Sequence, residues 1–135
     1  MKFTKPWALL EESGVLTPVL YVSFQRTKGR RTRKLFVVDS GADTSVGPWK
    51  LCELLGLTWS AGIRTEIRGI SQREECVVPA RLHEVTVFVA EARKEILLPI
   101  CFAEGDAPLL LGRDGFFDAF VVQFDKQRSL TTFEY

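Results

Sequence analysis

Asp39 ends an apolar run, Leu35 to Val38, and Ser40 and Gly41 follow it at once. β-Branched and aromatic residues favour an extended, buried run, and a glycine lets the backbone reverse with positive φ. The pattern predicts a carboxylate held at a rigid strand end, where it can take or give a proton in a hydrolytic step. Asp43 places a second acid in the same turn. Other chemistries fit the residues less well. Ser40 does not sit in a Gly-x-Ser-x-Gly elbow. His83, the one histidine, falls on a strand pattern with no partner beside it, so a Ser-His-Asp triad has nowhere to form and a surface or rim position is expected. The acids from Asp39 to Asp43 do not follow EF-hand spacing, and their apolar flanks argue for burial rather than a calcium loop. Cys52, Cys76 and Cys101 are odd in number and include no Cys-x-x-Cys pair. That argues against a disulfide framework and a structural zinc site and predicts buried thiols, with no metal or cofactor.

A second stretch, Pro108-Leu-Leu-Leu-Gly-Arg-Asp114, lies downstream, with Gly112 73 positions after Asp39. Together, Asp39-Ser40-Gly41 continuing into Ala42-Asp43-Thr44, and Leu110-Leu111-Gly112 before Arg113, resemble the retropepsin-like aspartic proteases, the single-lobed retroviral type in its cellular or prokaryotic form. The resemblance covers roughly residues 17 to 135. It implies an all-β, mainly antiparallel acid-protease-like lobe with two short α-helices, preceded by an amino-terminal arm over residues 1–16. It makes Asp39 the catalytic acid, with Ser40, Gly41 and Ala42 supporting its loop. Ser40 would hydrogen-bond across a dimer axis, and Ala42 offers no hydroxyl where many pepsin-like enzymes carry serine or threonine. Asp43, Gly69 and Ile70 would meet substrate, the last two in a flap around Gly69 to Gln72. Leu110, Leu111, Gly112 and Arg113 would brace the loop from behind, Arg113 pairing with Asp43. A partly buried pair of that kind, broken on one side, would cost ~3 kcal/mol.

Peptide hydrolysis by carboxylates needs one ionised group to activate water and one protonated group to polarise the carbonyl. Asp106, Asp114, Asp118 and Asp125 are not followed by Ser-Gly or Thr-Gly, so the chain supplies one such loop. A homodimer would bring two copies of Asp39 together, because a residue near a twofold axis meets its own copy. The expectation is an aspartic endopeptidase acting on a polypeptide substrate. The alternative is a dimeric binding or assembly module with little proteolysis.

The elements that must position these groups are legible in outline. Pro18 to Gln25 alternates, with Leu20, Val22 and Phe24 on one face, and the basic stretch Lys28 to Lys34 reads as a solvated hairpin tip rather than a nucleic-acid contact. Gly47-Pro48 opens a short helix carrying Leu51, Leu54 and Leu55, which Gly56 stops. Ile63 to Ile70, Glu75 to Ala80 and Leu82 to Ala90 read as strands, and so does Ile96 to Phe102, where Pro99 suggests an edge or bulge. After Gly112 comes a helical turn or two with Phe116, Phe117 and Phe120 inward, then a terminal hairpin around Asp125 to Arg128. A chain of 135 residues with 46% hydrophobic content builds one core. A net charge of +1 draws neither nucleic acid nor membrane. No apolar stretch approaches the ~20 residues of a membrane span, and the first twelve residues carry too short an apolar run for a signal peptide. A cytoplasmic protein is expected.

Overall fold

The computed structural model describes residues 1–26, 29–67 and 78–135. In chain order its strands are β1 (Lys2–Pro6), β2 (Ala8–Leu10), β3 (Val15–Thr17), β4 (Val19–Gln25), β5 (Arg31–Val38) and β6 (Ser45–Pro48), followed by helix α1 (Trp49–Leu54). Then come β7 (Ile63–Ile67), β8 (Val78–Val89), β9 (Lys94–Ala103), β10 (Leu110–Leu111), a bent helical segment (Arg113–Phe117), β11 (Val121–Asp125) and β12 (Leu130–Glu134). Seven strands form a mixed, mainly antiparallel sheet in the order β4-β5-β10-β6-β9-β8-β7. β4 also returns to β8, pairing Ser23 with Phe88 and Phe24 with Val87, so the sheet curls on itself. β1 and β11 flank β12 in a second sheet, while β2 and β3 make a separate hairpin.

Alternation decides the core. Leu20, Val22 and Phe24 of β4 are buried, and Val87 and Val89 of β8 with Leu98, Ile100 and Phe102 of β9 meet them inside the curled sheet. α1 covers one side with Leu51 and Leu55, and Gly56, at φ +74°, ends it by donating its N–H to Glu53 O at 3.0 Å. The terminal sheet is fastened by aromatic packing. Phe3 stacks on Phe133 at 4.9 Å, and Phe116 lies 5.0 Å from Phe120 and edge-on to Phe133.

Several elements differ from the sequence reading. Residues 78–89 form one strand where a break at Arg81 was expected, because Arg81 is paired on both sides, with Arg64 of β7 and Phe102 of β9, while its side chain bonds the carbonyls of Ser60 and Gly62. Pro99 is neither in a bulge nor on a free edge. It pairs in register with Glu84 of β8, one residue before the stretch of β9 that pairs with β6, so on the β6 side it interrupts no ladder. The space beside it is taken by the helical segment, where a Cβ on Gly115 would stand 2.8 Å from Pro99 Cδ. That segment leaves helical geometry at Asp114 and at Gly115, whose φ of +82° suits glycine alone. Within the first sixteen residues, β1 pairs with β12, and Trp7 docks by donating Nε1–H to Thr131 Oγ1 at 2.9 Å. No helix among the described residues is long and apolar enough to cross a membrane.

Because Phe116 is fully buried where the helical segment meets the terminal sheet, Phe116→Ala is expected to lower unfolding free energy by about 3–5 kcal/mol. Urea denaturation followed by circular dichroism checks this, and a change under ~1 kcal/mol would remove the cluster from the core.

Candidate active site

The loop from Asp39 to Thr44 joins β5 to β6, and β10 lies between these two strands. It runs parallel to β5, with Leu110 beside Val37 and Leu111 beside Val38, and antiparallel to β6 at Val46. The Asp39 N–H donates to Leu111 O at 3.0 Å, and the Val37 N–H to Leu109 O at 2.9 Å. Past β10, the N–H groups of Arg113 and Asp114 donate to Ala42 O and Asp43 O, each at 2.9 Å. The Gly112 N–H finds its acceptor in the Ser45 hydroxyl at 3.0 Å, inside the protein. The acid-bearing loop is thus stitched on both sides to one short strand.

Two glycines serve close approach. A Cβ on Gly112 would lie 2.4 Å from the carbonyl carbon of Thr44 and 2.8 Å from the Ser45 nitrogen, both backbone atoms that cannot yield. Gly41 was expected to supply positive φ, and it does not. Its role is proximity: its N–H donates to Asp39 Oδ1 at 2.9 Å, and a Cβ there would come within 3.2 Å of that oxygen. The Asp39 carboxylate is half-buried and held by its own loop.

Asp39, Gly41, Ala42 and Asp43 line one side of an open cleft of about 640 Å³. The apolar part of its wall comes from Val46 of β6, Ile67 of β7, Cys101 of β9, Pro108, and Leu110 of β10. Leu110, read as a brace, therefore also faces the cleft, while Leu111 is fully buried behind the loop. Ser40 is exposed, and its carbonyl accepts from Arg113 Nη1 at 3.4 Å. Arg113 Nη2 bonds Asp43 Oδ1, the pairing the sequence suggested. The expected partial burial is absent, however: the side chains are 53% and 83% exposed, so in the single chain the pair is worth at most ~1 kcal/mol. Gly69 and Ile70, with Ser71 and Gln72 of the expected flap, lie outside the described residues, as do Lys28 and Cys76.

Sequence reasoning passed over Ser45, the buried hydroxyl that receives Gly112, and Thr44, whose Oγ1 reaches Asp114 Oδ2 at 3.5 Å. A polar residue at the head of an otherwise apolar strand was the available signal for Ser45. It also missed Cys101 as part of the cleft; burial pushes this thiol above its ordinary range, leaving a neutral, weakly polar wall. Cys52 is raised too, by burial first and then by the neighbouring Glu53. His83 is partly exposed, as a rim position would be. It is half-buried, edge-on to Phe102, with Nε2 3.9 Å from Cys52 Sγ. Cys52 is only 1% exposed and its thiol is held protonated, so this pair offers no nucleophile to substrate. Among the described residues, no cluster of metal-ligating side chains occurs.

The lobe, with its acid-bearing loop and the strand crossing behind it, has the single-lobed acid-protease fold. A crystal structure of a retropepsin-like aspartic protease from Rickettsia conorii superposes with a TM-score of 0.66, over 100% of this chain and 92% of that one, at 18% sequence identity. No protein-family model and no curated protein matches the sequence.

Gly112→Ala is expected to cost about 3 kcal/mol of stability, at the upper end of overpacking penalties, because the new methyl meets backbone on two sides. Thermal unfolding of the purified variant measures it. By contrast, a double-mutant cycle on Asp43→Ala and Arg113→Ala should give a coupling of no more than ~1 kcal/mol in the monomer. A coupling near ~3 kcal/mol would mean that the pair is buried in solution.

Proposed function

We propose that this chain is an aspartic endopeptidase that works as a homodimer, hydrolysing peptide bonds with water activated between two Asp39 carboxylates, one from each subunit. The observation that carries the reading is the placement of Asp39. It stands on a loop fixed by backbone hydrogen bonds, at the side of an open cleft, in a chain with no second Asp-Ser/Thr-Gly loop. In the dimer one Asp39 is ionised and takes a proton from water, while its twin is protonated and polarises the substrate carbonyl. No covalent intermediate forms. The apolar wall of Val46, Ile67 and Leu110 receives substrate side chains, and Asp43 stands at the rim to meet the substrate main chain. The likeness in fold to the Rickettsia conorii protease supports this reading.

Asp39→Asn should keep the fold and reduce cleavage of an unstructured protein or peptide library to background. Cleavage at the wild-type rate would end the proposal, and a stable wild-type dimer that cleaves nothing would favour a binding or assembly module. A carboxylate pair that works only with one proton between its members gives a rate that falls at both acid and alkaline pH. Ala42→Ser adds a donor that favours the ionised state and should move the acid limb to lower pH; a pH-rate profile of both forms on one peptide reads the direction.

A further inference from the structure

The β2–β3 hairpin is an unusual feature of the surface. Ala8 pairs with Thr17, Leu9 with Leu16 and Leu10 with Val15, and directly opposed residues in an antiparallel pair share a face. The face of Ala8, Leu10 and Thr17 is half-buried. Leu9 and Leu16 point the other way, 64% and 48% exposed, while Val15, opposite Leu10 on the first face, stands at its open end. An isolated two-stranded ribbon is marginal in water, and a matched leucine pair on its outer face adds apolar exposure without benefit to a monomer.

Its position suggests what covers it. β3 ends at Thr17, and the carbonyl of the next residue, Pro18, accepts the Val38 N–H at 2.9 Å, one residue before Asp39. Leu16 is two residues from Pro18, about 7 Å at the rise of a strand. If two Asp39 carboxylates meet on a twofold axis, as in the function proposed above on which this inference rests, whatever adjoins Asp39 lies in the contact between subunits. The last strand does not compete for this role, since both edges of β12 are occupied by β1 and β11 of the same chain.

We propose that the outer face of the β2–β3 hairpin, centred on Leu9 and Leu16, is a dimerisation surface that docks on a second copy of this chain. It brings the two Asp39 loops together and supplies apolar burial that the polar loops lack. The dimer buries the leucines, and each half-site is completed by the other.

The test is sedimentation equilibrium of wild type, Leu9→Glu/Leu16→Glu and the milder Leu16→Ala, with circular dichroism melting to verify the fold and peptide cleavage measured at several protein concentrations. The double variant should melt like wild type yet dissociate at least about tenfold more readily, as expected for a charge placed at the centre of an interface. Leu16→Ala, which removes only exposed methyls, should weaken the dimer by a smaller factor. Activity of both should recover as protein concentration rises. A folded double variant that dimerises as tightly as wild type overturns the hairpin assignment and leaves the protease reading intact. Weakened dimers of a wild type that cleaves nothing support the hairpin and count against proteolysis. A wild type monomeric at every concentration overturns the hairpin.

Discussion

Hydrogen bonds between the stretch from Leu109 to Asp114 and the two legs of the Asp39 loop hold the candidate site together. A loop alone would leave the carboxylate on a mobile turn. With Leu111 accepting from the Asp39 amide and Ser45 receiving Gly112, neither leg can shift without breaking a hydrogen bond, one of them fully buried. An unmade buried bond costs ~1–3 kcal/mol, which makes the position of the acid part of the fold's stability rather than an addition to it. The charge pair from Arg113 to Asp43 sits outside this lock and contributes much less, being exposed on both sides.

The cleft combines acidic and apolar surfaces, with Glu66 of β7 facing it beside Ile67. Asp39 and Asp43 lie together on the loop, while Val46, Ile67, Cys101 and Leu110 line it from four strands. The two described thiols are both held toward the neutral form by burial, so neither adds charge to the interior. Titratable chemistry in the cleft is therefore carried by carboxylates.

What the sequence revealed depended on how local the determinant was. The alternation of Leu20, Val22 and Phe24 and the helix between Pro48 and Gly56 were readable because each period is written in neighbouring residues. The loop and the crossing strand were readable as paired motifs, with Arg113 and Asp43 joined as expected. Pairings across the chain were not. β1 carries lysines and a proline and shows little alternation, so nothing in it announces a partner at β12. The purpose of Gly41 was misread because a glycine needed for a close approach looks the same in sequence as one needed for a left-handed turn. The partners of His83 were not legible because Cys52 and Phe102 come from distant elements.

The crossing strand also sets an order in time. The bond from Gly112 to Ser45 spans 67 residues, so the acid emerges in synthesis well before the segment that fixes it. Closing so long a loop costs only a little more entropy than closing a shorter one, yet it makes this contact a late, non-local event in folding. Until Leu110 and Leu111 insert between β5 and β6, Asp39 sits on an untethered turn beside an unfinished sheet. A nascent or truncated chain ending before that strand would carry Asp39 without the hydrogen bonds that hold its loop in place.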